Sequence, residues 1–268
     1  MIIFIPSRGR ANVYARKTLS HIPMSYMHKT VVTVPYGEED AYMKAAPRVA
    51  LESGLTILPV TYNRIADKRH KMALLANDRL EDKLCIIDDD LVFLVRRQVG
   101  HFSMRNQDHT DSAEMFEYIE KLLDTYVHGA ISPREGNNRA GDGNRAQLDI
   151  ENTRAMRFHF FRTDQYLSIE HNRMQTMEDF DATLQLLRMG YKNIVPYWYG
   201  QGQAKTQSPG GCSSWRTNEL HDEQVKLLQS YHPEFVRLRQ KSNKTDNDGF
   251  GTRLEATISW KKAWESAK

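Results

Sequence analysis

Three consecutive aspartates, Asp88, Asp89 and Asp90, sit between two apolar runs, Leu84-Cys85-Ile86-Ile87 and Leu91-Val92-Phe93. Carboxylates crowded at the end of a buried segment repel one another unless something offsets their charge. A divalent cation is one such offset. Hard oxygen ligands suit Mg²⁺ or Mn²⁺, and Mg²⁺ commonly shares carboxylates with the phosphates of a substrate. In an extended strand alternate side chains share a face, which would place Asp88 and Asp90 together and Asp89 on the other side. The plainer alternative is a solvated acidic turn or a cluster capping a helix.

Other groups can serve the same chemistry. Pro6-Ser7-Arg8-Gly9-Arg10 follows the first apolar run and sets two guanidiniums beside a glycine, suited to bidentate contact with a phosphate or a base edge. Lys68 and Arg69 stand at i+3 and i+4 from Ile65, on the helix face marked by Met72, Leu75 and Ala76, so both should point inward toward Asp88 and Asp90. Glu178 and Asp179, with Asp181 close by, open a later helix. Thr176 and Asp179 fit a capping box, which reads these acids as helix starters; an acid so placed can also take a proton from a hydroxyl. Tyr197-Trp198-Tyr199 offers rings that either stack on a sugar or an unpaired base, or are buried.

The elements that position these groups alternate. Strands are predicted at Ile2–Pro6, Thr30–Val34, Leu55–Val60 and Leu84–Asp88, and helices at Ala11–His21, Glu38–Ala46 and from a cap at Asn63 to Asn77. Such alternation argues a doubly wound, mostly parallel sheet, with ligands gathered outside the carboxyl ends of the strands. Beyond Asp90 a helix starts at Asp111-Ser112-Ala113-Glu114, strands follow at His128–Ser132 and Arg157–Arg162, a helix runs from Thr176 toward Gly190, and Ile194-Val195 forms a short strand. Residues 134–147 and 200–214 read as polar loops. The remainder reads as helical, with a gap at 242–251.

Composition bounds the class. The chain has 268 residues, 40% hydrophobic and 26% charged, enough for one large α/β core. Its formal charge of +3 permits a polyanionic partner without demanding one. Cations gather late in the chain, at Arg237, Arg239, Lys241, Lys244, Arg253, Lys261 and Lys262. No apolar stretch is long enough to span a membrane. Met1-Ile2-Ile3-Phe4-Ile5 is too short for an export signal, and two cysteines point to a reducing cytoplasm, with Cys85 in the core and Cys212 a free thiol. GxGxxG, Walker A, CxxC, GxSxG and HExxH are all absent, which disfavours dinucleotide oxidoreductases, P-loop NTPases, zinc enzymes and α/β-hydrolases.

Taken in order, Ile5-Pro6-Ser7-Arg8-Gly9-Arg10, Arg64-Ile65-Ala66-Asp67-Lys68-Arg69, Asp88-Asp89-Asp90 and Met177-Glu178-Asp179 resemble a GT-A glycosyltransferase. Within that class the IPSRGRA opening and the IADKR helix look most like the phage TET-associated glycosyltransferases. The resemblance implies an α/β, Rossmann-like, mostly parallel central sheet flanked by helices, with C-terminal helices. It implies one domain over 1–268, with a nucleotide-sugar half (1–100), an acceptor half (101–200) and a loop plus helical extension (201–268). It implies transfer of a sugar from a UDP-sugar to 5-hydroxymethylcytosine in DNA, with Mn²⁺ or Mg²⁺.

Carried over, Pro6, Ser7, Arg8, Arg10, Lys68, Arg69, Asp88 and Asp89 hold the donor, Arg8, Lys68 and Arg69 meeting uracil or diphosphate and Asp88 the ribose or sugar. Asp90, with Asp88 and a C-terminal His221, holds the metal. Asp179 is the base and Glu178 assists the acceptor. Arg134, Arg139 and Arg145 meet DNA phosphates. No obligate protein partner is evident, and a phage enzyme of this kind works in the cytoplasm of the infected bacterium. Three other readings stay open. One is a GT-A enzyme acting on a cell-surface glycan. Another is a sugar-nucleotide nucleotidyltransferase, which would want more glycine than Arg8-Gly9-Arg10 supplies. The last is a DNA-binding module without catalysis, which leaves the aspartates unexplained.

Overall fold

The computed structural model describes residues 1–61, 64–97, 103–133, 149–203, 217–241 and 253–268. The first part alternates as its sequence demands: β1 (Ile2–Pro6), α1 (Ala11–Arg16), α2 (Thr18–His21), α3 (Met24–Met27), β2 (Thr30–Val34), α4 (Glu39–Ala45), α5 (Arg48–Glu52), β3 (Thr56–Pro59), α6 (Ile65–Asp78) and β4 (Lys83–Ile87). The middle holds β5 (Leu91–Arg96), β6 (Met104–Asn106), α7 (His109–Thr125), β7 (His128–Ala130), β8 (Ser132–Pro133), β9 (Asp149–Glu151), β10 (Phe158–Arg162), α8 (Thr163–Leu167), α9 (Glu178–Arg188), β11 (Asn193–Pro196) and β12 (Tyr199–Gln203). The chain ends in α10 (Asn218–Tyr231), β13 (Val236–Lys241), β14 (Arg253–Ile258) and α11 (Trp260–Glu265).

The central sheet has the order β3-β2-β1-β4-β10-β7-β11-β9. β3, β2, β1 and β4 run parallel to their neighbours, as do β7 and β11, while β10 and β9 run antiparallel. β1 and β2 are buried along their whole length, as parallel strands covered on both faces must be. One face packs Ile3, Ile5, Val32, Cys85 and Phe158 against α7 through Phe116 and Ile119; the other packs Phe4, Ile86 and Phe161 against α6 through Met72 and Ala76. Strand order steps outward from β1 to β3, then returns to place β4 on the other side of β1. That reversal opens a crevice at the carboxyl ends of β1 and β4, the position where open α/β sheets take their ligands.

A second sheet, β6-β5-β12-β8, begins directly after the triplet. β12 pairs antiparallel with β5, Gln203 opposite Leu91, which carries Gln203 back to Asp90.

Several sequence expectations are corrected. The helix expected over Ala11–His21 is two, interrupted at Lys17 (φ −115°, ψ −105°), which turns Thr18 toward the triplet. His128–Ser132 is divided between the two sheets, with β7 in one and β8 in the other. Residues 200–203, expected as loop, belong to the strand β12, because β5 supplies their hydrogen bonds. The C-terminal part is a helix, a β-hairpin and a helix, not helices alone: Val236–Lys241 alternates with period two and finds its partner in Arg253–Ile258. The cap at Asn63 and the loop arginines Arg134, Arg139 and Arg145 lie outside the described residues, as does Cys212; Cys85 is a buried free thiol, as expected. Among the described residues no helix is long and apolar enough to cross a membrane.

The C-terminal elements are fastened to α9. Leu184 and Leu187 of α9 share an apolar cluster with Leu228, Phe235, Val236 and Ala263. Beside it Asp181, 5% exposed, accepts from Arg173 Nε and Nη2 at 2.8 and 2.6 Å and bonds His232 Nε2 at 2.7 Å. Burial works against this carboxylate, but its bonds to His232 and Arg173 outweigh burial and hold its pKa below the ordinary value. Removing one member of a buried ionic cluster strands the others. Asp181→Ala should lower unfolding stability by about 3 kcal/mol in urea at pH 7. A depressed carboxylate stabilises above its unfolded pKa and loses that contribution as pH falls, so the deficit should shrink below about pH 4.

Candidate active site

The residues at the crevice form a chain of alternating charge. β4 ends at Ile87, and Asp88-Asp89-Asp90 makes the turn into β5, so strand alternation does not apply to them. Asp89 and Asp90 turn toward the same cation: Arg10 Nη1 lies 3.2 Å from Asp89 Oδ1 and 3.0 Å from Asp90 Oδ2. Asp88 turns the other way, to Arg69 Nη2 at 3.3 Å. The expectation that Asp88 and Asp90 share a face is therefore corrected.

The turn is held in shape by its backbone. The Thr18 hydroxyl donates to the Asp88 carbonyl at 2.6 Å and accepts from the Leu91 amide at 3.0 Å, closing the turn like a clasp. Gln203 Nε2 donates to Asp90 Oδ1 at 2.7 Å. Sequence reasoning missed Thr18, Gln203 and Tyr42. Only the fold brings them here, and no spacing in the chain announces it.

The loop after β1 meets the triplet from the other side. Ser7 donates its hydroxyl hydrogen to Asp89, and its oxygen lies 2.6 Å from the Tyr42 hydroxyl. Tyr42 also accepts from the Arg10 amide at 3.0 Å. Gly9 has φ +64°, a left-handed turn that suits glycine, and its amide donates to Glu38 at 2.7 Å. Pro6 completes β1, while Arg8 is exposed and has no ion pair among the described residues.

Both inward cations of α6 are where their spacing predicts. Lys68 is 2% and Arg69 6% exposed. Lys68 Nζ donates to the Ser7 carbonyl at 2.9 Å, tying α6 to the β1 loop. Arg69 does more: its Nη1 lies 3.3 Å from Glu178 Oε1 while its Nη2 reaches Asp88. One guanidinium thus joins the end of β4 to the start of α9.

That start is not the expected cap. Met177 occupies the N-cap with φ +63° and ψ +21°, no side chain caps the helix, and the buried Thr176 hydroxyl has no partner among the described residues. A non-glycine residue in the left-handed region carries strain, which is retained mostly where a turn must present particular side chains. Glu178 turns to Arg69, and Asp179 accepts from the Phe180 amide at 3.0 Å instead of closing a capping box. His221 is placed elsewhere. Its Nε2 is 3.0 Å from the Leu254 carbonyl, and no contact among the described residues joins it to the aspartates.

Electrostatics follow the geometry. Burial pushes the Asp88 carboxyl up to about 7; Arg69 opposes the rise, and Asp90 and Asp89 reinforce it. Burial raises Asp89 as well, against the bonds from Ser7 and Arg10. Burial disfavours charge on Arg69, but Glu178, Asp88 and Asp179 outweigh it and raise its pKa. By donor chemistry the triplet suits a hard divalent cation. Among the described residues, though, no three of His, Cys, Asp and Glu converge as a metal cage, since the three carboxylates diverge toward two arginines.

A doubly wound sheet with acidic and basic groups gathered at its switch point has the ligand site of an open α/β protein. The profile of the TET-Associated Glycosyltransferase family matches residues 1–211, and the chain belongs to that family. It is a glycosyltransferase. It is 26% identical to the beta-glucosyl-HMC-alpha-glucosyl-transferase of Enterobacteria phage T6 over 257 residues, 87% of this chain and 81% of that protein. Its identity to the enzyme of the same name from phage T2 is 25% over 243 residues, 84% of this chain and 80% of that one. In structure it is similar to the mannosyltransferase PcManGT from Pyrobaculum calidifontis, solved with GDP-Man and Mn2+: TM-score 0.51, 13% identity, 92% of this chain and 66% of that one. That likeness is one of fold.

The raised Asp88 pKa has a consequence for the ligand-free protein. Its native carboxyl keeps a proton between about pH 4 and 7 where the unfolded chain has released it, so its contribution to stability declines as pH rises through that window. Asp88→Asn removes the decline. The melting temperature of the variant relative to wild type should climb from pH 5 to pH 8; a difference that stays flat would show that Asp88 is not held above its ordinary range.

Proposed function

We propose that the protein transfers a sugar from a UDP-sugar to a hydroxyl on modified cytosine in DNA. The observation that carries this reading is the Arg69 bridge. It brings Asp88, at the donor end of the sheet, and Glu178, at the start of α9, to the same guanidinium at 3.3 Å each. Donor-facing and acceptor-facing carboxylates are thereby held across one crevice.

In this reading the exposed Arg8 meets the donor from the β1 loop. Asp88 meets its ribose or sugar. Lys68 is committed to the Ser7 carbonyl, and so acts by fixing the loop beside the diphosphate. Arg69 supplies fixed positive charge where the departing nucleoside diphosphate gathers negative charge. Asp90, which turns with Asp89 toward Arg10 while Asp88 turns to Arg69, would be the carboxylate to hold Mn²⁺ or Mg²⁺, an ion that would neutralise the leaving group. Asp179 takes the proton of the attacking hydroxyl, and Glu178 orients the acceptor.

The relatives favour a particular acceptor. Both are named for transfer of an alpha-glucosyl group to beta-glucosyl-HMC, so a hydroxyl of a sugar already carried by the base is a second reading beside the hydroxymethyl group itself. Either lies at the edge of the duplex or on a base drawn out of it.

The test is direct. Purified protein, several UDP-sugars and DNA bearing hydroxymethylcytosine or its beta-glucoside are incubated with and without EDTA, and digested nucleosides are weighed by mass spectrometry. A hexose-sized gain that EDTA abolishes supports the reading; no gain on either DNA overturns it. Asp90→Asn should slow transfer by about 10²–10³-fold with an unchanged circular dichroism spectrum. Asp179→Asn should slow it by about 10²–10⁴-fold while UDP-sugar affinity by calorimetry holds; lost affinity would make Asp179 a structural residue.

A further inference from the structure

The ribbon of β13 and β14 takes no part in the donor crevice, yet it is built asymmetrically. Alternation sets Arg237, Arg239 and Lys241 on one face, across from Thr257, Glu255 and Arg253. The opposite face is mostly apolar: Val236 is fully buried, and Ala256 and Ile258 pack with it in a cluster that includes Leu228 of α10. The first face thus carries four cations against one acid, with Arg237 and Arg239 exposed, Lys241 half-buried and Arg253 largely buried. Glu255 is already shared, at 3.0 Å with Lys241 and 3.1 Å with Arg253. Arg237 and Arg239 are exposed and form no ion pair among the described residues.

We propose that this outward face is a docking surface for the phosphate backbone of double-stranded DNA. The inference rests on the reading of DNA as acceptor, and adds the surface that holds it. Charge complementarity carries it. Two neighbouring guanidiniums without an ion pair among the described residues, beside two more cations sharing a single acid, make a row that releases counterions when laid on a polyanion. The spacing suits the ligand, since alternate residues of a strand stand about 6.7 Å apart, close to twice the 3.4 Å advance per phosphate along one DNA strand. A two-stranded ribbon also has the dimensions of a groove reader.

Position supports the same assignment. Trp260, just beyond β14, packs edge-on against Phe180 with ring centroids 5.6 Å apart, and Phe180 follows Asp179 in α9. His232, which precedes β13, bonds Asp181 at 2.7 Å. The Val236–Ile258 end of the ribbon is thus fastened beside the helix whose first turn carries the proposed base. Arginines on a lone ribbon can instead serve only to stop its edges pairing with another chain. That alternative predicts no change in DNA binding when they are removed.

The experiment uses the full chain and a short, unmodified, fluorescent duplex, titrated by anisotropy between 50 and 200 mM salt. Arg237→Ala with Arg239→Ala should make the slope of log K against log salt shallower by about 2, so that the loss of affinity is roughly tenfold larger at 50 mM than at 200 mM. UDP-sugar hydrolysis without DNA should be unchanged. Arg237→Lys with Arg239→Lys should keep most of the wild-type slope, because phosphates accept a point charge. Arg237→Gln with Arg239→Gln removes the charge but keeps a long polar side chain; it should flatten the slope as the alanine pair does, and tests the proposal should that pair fail to fold. A wild-type slope in the charge-removing variants, or no duplex binding by wild type, would overturn it. Duplex binding with the expected slopes but no sugar transfer would leave the ribbon standing and sink the acceptor reading; transfer to DNA with equal slopes would sink the ribbon alone.

Discussion

Three adjacent carboxylates at the mouth of a buried strand must be neutralised, and much of this molecule is arranged to do it. Arg10 takes Asp89 and Asp90; Arg69 takes Asp88. Each arginine is itself held. Arg10 follows the left-handed turn at Gly9, with its amide on Tyr42. Arg69 is locked on the inner face of α6, between the end of β4 and the start of α9. Loss of either cation would leave like charges within a few ångströms in a desolvated place, an arrangement that shifts pKa values or unfolds the turn.

Much of this was legible in the chain. The continuous apolar runs Ile2–Pro6 and Thr30–Val34 are recovered as strands with the bounds predicted. The i+3 and i+4 spacing of Lys68 and Arg69 from Ile65 correctly turned both inward, because helical periodicity is rigid and a helix against a sheet has one buried side. The family resemblance, carried by four short motifs in order, is upheld by the profile match over residues 1–211.

What was not legible depended on tertiary partners. Asp88 was read as strand and is turn, because the clasp from Thr18 arrives from a helix break that no local pattern marks. Thr176 looked like a cap, yet the strained Met177 displaces it. Gln203 reaches Asp90 only because β12 folds back along β5, a pairing set by register rather than composition. Val236–Lys241 fell within a stretch read as helical although its residues alternate with period two, a pattern too short to decide until Arg253–Ile258 pairs with it.

The attachment of the last elements to α9 bears on where the protein can be cut. The family profile ends at residue 211, an inviting place to trim. Yet trimming there would uncover Leu184 and Leu187, and take His232 from Asp181, two positions from the proposed base. The segment outside the profile is a buttress rather than an appendage, and a shortened protein would forfeit the shape of its acidic helix start along with its tail.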